Sequence, residues 1–367
     1  MDSFLNYILK ITALLQFPKN IHIIMGNEAC DLDSTVSALS LAYFMHENRN
    51  TVEDSITLPL LNVKKEEFDL RIENCYVLDQ IGVNRSTLFY KDTLNMKDLL
   101  NNYNVKLTLV DHHVLAQDQQ YLKPNVVGIF DHRPRDPNVI WSDNVDVKLQ
   151  LVGSCATLIT DEIYAKNPSR LSPTLAKILY ETVIFDTIGL SPQAGKVKDL
   201  DIEVSKKLEQ FLQIPNPDHQ GLFNKLWAEH NNVSHLTPRQ LLIKDMKFVE
   251  NVLIPGLPML VKDFLNLPDI LDCLKGLSNE KNATVIILMG LEAKDGLMER
   301  DLGFYSIEED SDLLKHIIDN LKQNDALQLE EGASSIAAIK YFKQNHKPSR
   351  KQLLPLVRDL LTEYKQC

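Results

Sequence analysis

Short β-branched apolar runs that stop abruptly at acids and histidines punctuate the first third of the chain. Ile21-His22-Ile23-Ile24-Met25 gives way to Gly26-Asn27-Glu28-Ala29-Cys30-Asp31-Leu32-Asp33-Ser34. Leu107-Thr108-Leu109-Val110 ends in Asp111-His112-His113, and Val126-Val127-Gly128-Ile129-Phe130 ends in Asp131-His132-Arg133. Runs this short and this uniformly apolar predict parallel strands buried on both faces. Each delivers polar side chains at its C-terminal end, the edge where open α/β sheets place their ligands. Further strand-like pieces fall at Thr57–Leu61 and Cys75–Leu78.

Between these runs the apolar spacing becomes helical. Asp33-Ser34-Thr35 opens a helix with Val36, Leu39, Ser40 and Tyr43 at helical spacing. The stretch Val152–Ile159 opens another, with Ser154 as its cap, and a third runs from Pro173 to about Thr187, carrying Asp186 near its end. Alternating strands and helices predict an α/β domain with a doubly wound parallel sheet. From Asp199 to about Trp227 the pattern is helical and amphipathic. The polar, turn-rich stretch 231–238 places a hinge there, between domains at 1–230 and 238–367. Beyond it, Met259–Val261, Ala283–Gly290 and Asp301–Ser306 read as strands, and Asp312–Gln323 and Arg350–Tyr364 as helices. That is a smaller mixed α/β domain.

The length of 367 residues suits two domains. A net charge of −11 argues against a broad basic face for nucleic acid, though it leaves room for an anionic substrate at a locally positive site. Five cysteines (Cys30, Cys75, Cys155, Cys273 and Cys367) are scattered, odd in number and without CxxC spacing, which reads as free thiols in a reducing compartment. The stretch Met1–Lys10 is an amphipathic helix with an early acid and lacks the pattern of a signal peptide. No apolar run reaches the ~20 residues that span a bilayer. The expectation is a cytoplasmic protein without membrane contact, a nuclear pool being compatible.

Asp31 and Asp33 stand two apart on a turn leaving a strand. They either cap the following helix or hold hard cations through oxygen. Asp111 alone is a cap or a ligand, and His132 alone is a hydrogen-bonded core residue or a ligand. Together they favour metal, because burying several carboxylates side by side is costly without cations. Two ions sharing a carboxylate leave room for a shared water, whose pKa both lower, and the resulting hydroxide attacks an electrophile held in line. Phosphorus esters and anhydrides suit that chemistry because their oxygens also bind the ions.

The motifs Gly26–Ser34, Val110-Asp111-His112-His113, Asp131-His132-Arg133 and Ser349-Arg350-Lys351 occur in the order seen in the DHH phosphoesterases. The chain resembles the prune branch of that superfamily, and is similar to short-chain eukaryotic exopolyphosphatases and family II inorganic pyrophosphatases. The resemblance implies an N-terminal DHH domain and a DHH-associated C-terminal domain that closes over the substrate. It implies two divalent cations, Mg²⁺ or Mn²⁺. Asp31 and Asp111 would bind the first, and Asp33, Asp111, His132 and Asp186 the second. Asp186 is assigned on the context Tyr180–Thr187, which is similar to the family's fourth motif.

Asn27 stands where the pyrophosphatases carry a histidine ligand, and is read as a substrate-side group or weak neutral ligand. Arg133 replaces the second histidine of the third motif; it can fork onto phosphate but cannot act as a general acid, which disfavours pyrophosphate as the substrate. Of His112 and His113, one would buttress Asp111 and the other contact substrate. Lys347-Pro348-Ser349-Arg350-Lys351 would begin a helix whose N–H groups and cations clamp phosphate. Lys247 matches a further family lysine, with Lys244 competing. Cys155 reads as a small packed residue and Glu28 as surface or support.

The expected activity is release of terminal phosphate from short-chain polyphosphate. The alternatives are cyclic-nucleotide phosphodiesterase and a protein-binding role on the same fold. A nuclease of the RecJ kind is disfavoured, because the Gly-Gly-Gly-His motif is absent.

Overall fold

The structure is a computed structural model and describes residues 2–11, 20–49, 55–294, 297–308, 310–345 and 348–365. Met1, Lys347 and Cys367, named above, lie outside them. The chain divides into two compact units, Met1–Asn232 and Val233–Cys367.

The first unit is built on five strands: β1 (Asn20–Met25), β2 (Ser55–Leu60), β3 (Asn104–Val110), β4 (Val126–Asp131) and β5 (Asp146–Leu149). They lie in the order β2-β1-β3-β4-β5 and every pairing is parallel. Ile23, Ile24 and Met25 are buried in succession, as are Leu107, Thr108, Leu109 and Val110, so both faces of the sheet are covered. Helices α1 (Ser3–Lys10), α2 (Leu32–Glu47), α3 (Lys65–Phe68), α4 (Ile72–Gln80), α5 (Met96–Asn102), α6 (Cys155–Lys166), α7 (Pro173–Asp186), α8 (Asp199–Leu212) and α9 (His219–His230) complete it. The strand order reverses between β1 and β3, and the loops leaving those two strands carry Asp31 and Asp111. A reversal of this kind opens the crevice in which α/β proteins bind ligands.

Helix α2 packs against α6, α7 and the sheet, and nearly all of its residues are buried. Its polar core positions Ser34, Thr35, Ser37 and Ser40 therefore lie inside the unit, not on a wet face. The segment Cys75–Leu78, expected as a strand, is part of α4, with Ile72, Cys75, Val77 and Leu78 buried. A four-residue apolar run looks alike in a strand and in a buried helix, and periodicity cannot separate them. The long helical stretch after Asp199 is two helices, α8 and α9, broken around Pro215 and Pro217.

The second unit holds β6 (Met246–Val249), β7 (Val252–Leu257), β8 (Val285–Lys294), β9 (Leu297–Ser306), β10 (Glu330–Gly332) and β11 (Ile339–Gln344). These form a mixed sheet in the order β10-β11-β9-β8-β7-β6, parallel only between β7 and β8. Its helices are α10 (Pro238–Lys244), α11 (Val261–Phe264), α12 (Ile270–Lys281), α13 (Asp312–Lys322) and α14 (Arg350–Tyr364). Leu313, Ile317 and Leu321 of α13 join Leu353, Val357 and Leu361 of α14 in the core against the sheet.

The strand expected at Met259–Val261 lies earlier, at Val252–Leu257, and Val261 instead opens α11. Pro255-Gly256 disguises β7 as a turn. The ladder to β8 steps from Leu253 to Gly256, passing over Pro255, which has no N–H to give. No helix among the described residues is long and apolar enough to cross a membrane.

Candidate metal and phosphate site

The first motif is a turn tied from several sides. Asn27 N–H donates to Ser34 Oγ at 2.7 Å, and a Cβ on Gly26 would lie 2.3 Å from that oxygen, so only glycine fits. Cys30 adopts φ +48°, and its N–H donates to Asn27 Oδ1 at 3.0 Å. Asn74 of α4 donates to the Cys30 carbonyl and to Thr35 Oγ1, both at 2.7 Å. This turn delivers Asp31 as the N-cap of α2, accepting from Ser34 N–H at 3.1 Å. Capping and lining the site are both true of Asp31.

Asp33 points from the first turn of α2 onto the N-terminus of α6. It accepts from Cys155 N–H at 2.6 Å, Ala156 N–H at 2.8 Å, Ser154 Oγ at 2.9 Å and Ser37 Oγ at 3.3 Å. A helix N-terminus is the place where backbone donors hold a carboxylate in its charged form. The loop before α6 is anchored by buried Asp201, which accepts from Gly153 N–H at 2.7 Å, Lys198 N–H at 2.8 Å and Thr157 Oγ1 at 2.5 Å.

Asp111 leaves β3 in the left-handed region at φ +59°. Its Oδ2 accepts from Asn27 Nδ2 at 2.6 Å, whereas its buried Oδ1 makes no hydrogen bond. His132 Nε2 lies 3.2 Å from that Oδ1 and 3.6 Å from Asp33 Oδ2. The other ring nitrogen, Nδ1, donates to the Val152 carbonyl at 3.0 Å. That bond leaves Nε2 with a lone pair, so in the neutral imidazole three electron-rich atoms face one another. Asp33, Asp111 and His132 each offer one such atom, and these lie within 4.8 Å of one another. Asp186 Oδ2, at the end of α7, is also buried without a partner.

Burial, with Asp33 next to it, pushes Asp111 up to about 8. Burial and then the neighbouring carboxylates drive Asp186 well above the usual range, and burial with Asp33 raises Asp31. Burial would depress His132, but Asp111 and Asp33 outweigh it and lift the ring to about 9. All four groups express one demand: positive charge among the acids, as a proton or a cation. The donor set, hard carboxylates plus one imidazole fixed by a carbonyl behind it, fits a divalent metal.

Asp31, Asp33, Asp111, His132, Arg133, Val152, Gly153, Asp186 and Lys196 line one cavity of about 320 Å³. Larger cavities of about 570 and 700 Å³ lie elsewhere in the same unit; among the described residues no acid lines the first, and in the second Arg85 pairs with Asp69 and Asp79, so buried acid oxygens without partners, not size, mark the site. Arg133 is half exposed, with Nη2 3.6 Å from Asp111 Oδ1.

The structure distinguishes the two adjacent histidines. His113 Nδ1 donates to buried Asp131 at 2.5 Å and Nε2 accepts from Asp136 N–H at 2.9 Å, so both ring nitrogens are committed. His112 Nδ1 donates to the Val110 carbonyl at 2.9 Å, and its buried Nε2 has no partner. Burial lowers His112 to about 4, so the ring is neutral. Asn27, expected beside the substrate, has both amide atoms engaged, one on Asp111 and one on Cys30 N–H; its task here is to position Asp111.

Two groups escaped the sequence reading. Asp131, quoted only as part of a motif, accepts from His132 N–H at 2.7 Å and Arg133 N–H at 3.2 Å as well as from His113. It shapes the turn that presents both side chains. Lys196 lines the cavity from a loop that carries no motif; only Gly195 at φ +70° hints at a shaped turn. Cys155 is fully buried with its thiol pushed up by burial, and Glu28 is exposed.

In the second unit, Ser349 caps α14 in a reciprocal box with Gln352. Arg350 Nη2 bonds Asp245 Oδ2 at 2.5 Å, and Nη1 donates to the Asp245 carbonyl. Arg350 and Lys351 line a cavity of about 440 Å³ with Lys244, Asp245 and Arg300. Lys247 sits exposed on β6 and does not line it, so the structure brings Lys244, not Lys247, to Arg350.

Against known proteins, a model of the DHH family N-terminal domain matches residues 22–182 and one of the DHHA2 domain matches residues 224–360. Exopolyphosphatase PRUNE1 of Rattus norvegicus is 31% identical over 368 aligned residues, covering 98% of this chain and 79% of that protein. The putative exopolyphosphatase of Schizosaccharomyces pombe is 24% identical over 357 residues, covering 92% of this chain and 90% of its own. The manganese-dependent inorganic pyrophosphatase of Methanocaldococcus jannaschii is 26% identical over 233 residues, covering 61% and 66%.

Proposed function

The chain belongs to the prune family of DHH phosphoesterases, and from that membership we propose that it is a metal-dependent hydrolase of phosphoanhydrides, releasing terminal phosphate from short-chain polyphosphate. In this reading residues 1–230 form the DHH domain that carries the chemistry, and 238–367 the DHH-associated domain that binds substrate. The observation that carries it is the convergence of His132 Nε2, the orphaned Asp111 Oδ1 and Asp33 Oδ2 on one point.

Two divalent cations, Mg²⁺ or Mn²⁺, are the proposed cofactors; Asp33, Asp111, His132 and Asp186 would hold one, and Asp31 with Asp111 the other. Bound there, they would polarise phosphate oxygens and lower the pKa of an attacking water. The protein supplies the rest. The α6 N-terminus fixes Asp33, Asn27 fixes Asp111, and the Val152 carbonyl fixes His132, so the ligands are set before substrate arrives. Arg133, half exposed at the rim of the cavity, takes phosphate oxygens. Of the two adjacent histidines, His112 keeps Nε2 uncommitted and is the one assigned to a substrate hydrogen bond, while His113 stiffens the turn. Lys247 or Lys244, with Arg350 and Lys351, would bind the remaining charge of the substrate.

Among the described residues lining the acidic cavity there is no Phe, Tyr or Trp on which a nucleobase could stack, which disfavours cyclic nucleotides. The test is phosphate release from tripolyphosphate and pyrophosphate beside hydrolysis of cyclic AMP, with Mg²⁺ or Mn²⁺. Rapid, metal-dependent turnover of tripolyphosphate supports the reading. Turnover of cyclic AMP alone favours a phosphodiesterase, and silence on all three favours a binding role.

A further inference from the structure

We propose that the substrate chain leaves the acidic cavity past Arg133 and that Arg135 binds its distal phosphates, making Arg135 a chain-length determinant; this rests on the polyphosphate reading above. Two segments run side by side out of the cavity. One, His132-Arg133-Pro134-Arg135, leaves β4. The other, Gln150-Leu151-Val152-Gly153, leaves β5, which pairs with β4 at Asp131↔Leu149. They are stitched together: Gln150 N–H donates to the Asp131 carbonyl at 3.2 Å, and His132 Nδ1 donates to the Val152 carbonyl at 3.0 Å.

Val152 and Gly153 line the acidic cavity together with Arg133. Val147, Leu149, Gln150 and Leu151 line a second depression, of about 470 Å³, together with Arg133, Pro134 and Arg135. Arg133 belongs to both, so the two cavities meet at its side chain. Charge changes sign along the way. The inner cavity is walled by four carboxylates, whereas the outer one has Arg133 and Arg135 as its only charges. Arg135 is exposed and has no carboxylate partner among the described residues. In a chain of net charge −11, an unpaired arginine beside a second one is a local attraction for a polyanion.

The acids of the inner cavity, once their cations are bound, suit the terminal anhydride. The next phosphates carry charge but lie outside the reach of those ions. A groove that continues outward with guanidinium groups alone, and with apolar walls that offer no competing charge, suits them. Arginine's planar fork accepts two phosphate oxygens at once. Pro134 between the two arginines restricts the backbone that spaces them.

The experiment compares kcat/KM for pyrophosphate, tripolyphosphate and tetrapolyphosphate, with Mg²⁺, in the wild type, Arg135→Gln and Arg135→Glu. The expected result is a fall of about five- to tenfold in the tetrapolyphosphate-to-pyrophosphate ratio for Arg135→Gln, carried by KM, and a larger fall for Arg135→Glu. An unchanged ratio overturns the proposal. So does a ratio that follows Lys196→Gln instead, because Lys196 lines only the inner cavity and marks a different exit. A wild type that hydrolyses no polyphosphate would sink the underlying reading. Equilibrium binding of tetrapolyphosphate to wild type and Arg135→Gln then judges the groove by itself. Weaker binding by the variant supports it, and equal binding overturns it.

Discussion

Replacing Asp111 by asparagine removes one negative charge while keeping the shape of the side chain, and its effect on stability reverses with the metal. Without cations, one carboxylate oxygen of Asp111 and one of Asp33 stand within 4.8 Å of each other. Two unit charges at about that distance repel by about 3 kcal/mol at an effective dielectric near 20. Asp111, raised to about 8, relieves part of this by holding a proton, and His132 beside it offsets more, leaving about 1–2 kcal/mol of strain. In Asp111→Asn the amide carbonyl can keep the bond from Asn27 Nδ2, and the new N–H faces His132 Nε2 and Asp33 Oδ2. In chelator the variant therefore melts higher than wild type, by about 2–8 °C for a unit of this size. With cation at about one hundred times its dissociation constant, wild type gains about 2.7 kcal/mol, or about 5–10 °C. The variant, lacking the carboxylate that the proposed two-ion site would share, gains less than about 2 °C. Thermal melts in chelator and across a Mn²⁺ titration measure both signs. A variant that melts below wild type in chelator, or that rises as far with Mn²⁺, refutes the electrostatic reasoning.

Two further outcomes follow from the support around the acids. Gly153→Ala places a Cβ 2.5 Å from Thr187 Cγ2 and 3.0 Å from Asp201 Oδ2, so the loop must move; the expected cost is about 1–3 kcal/mol in the melt together with weaker Mn²⁺ binding, and no change in either contradicts the anchoring role. Arg133→His restores an imidazole in place of the fork and should move the kcat/KM ratio towards pyrophosphate; a constant ratio counts against the assigned role of Arg133.

The acidic end of the sheet was legible because three buried strands and their polar ends lie within continuous stretches of sequence. Burial on both faces shows as an unbroken apolar run, and the acids show by ending it. What the sequence hid depends on contacts made from afar. Asn74 lies just before Cys75–Leu78, the run that looks like a strand, and nothing local shows that its amide holds the Cys30 turn. Pro255-Gly256 conceals a strand because the proline's missing N–H falls at a rung the ladder skips. His112 and His113 are chemically identical in sequence; only Asp131 and Asp136 reveal which one is committed to the scaffold. Asn27 stands at a ligand's place, but the direction of its amide is set by Cys30 and Asp111. Lys196 belongs to a loop without periodicity, and its approach to the acids is a matter of tertiary structure alone.

The most direct measurement counts the Mn²⁺ ions that the chelator-stripped protein binds, by equilibrium dialysis with metal analysis, in wild type and Asp111→Asn. The account predicts two ions per chain in the wild type and the loss of both high-affinity sites in the variant. A wild type that binds no Mn²⁺, or a variant that binds the same number with the same affinity, would contradict it.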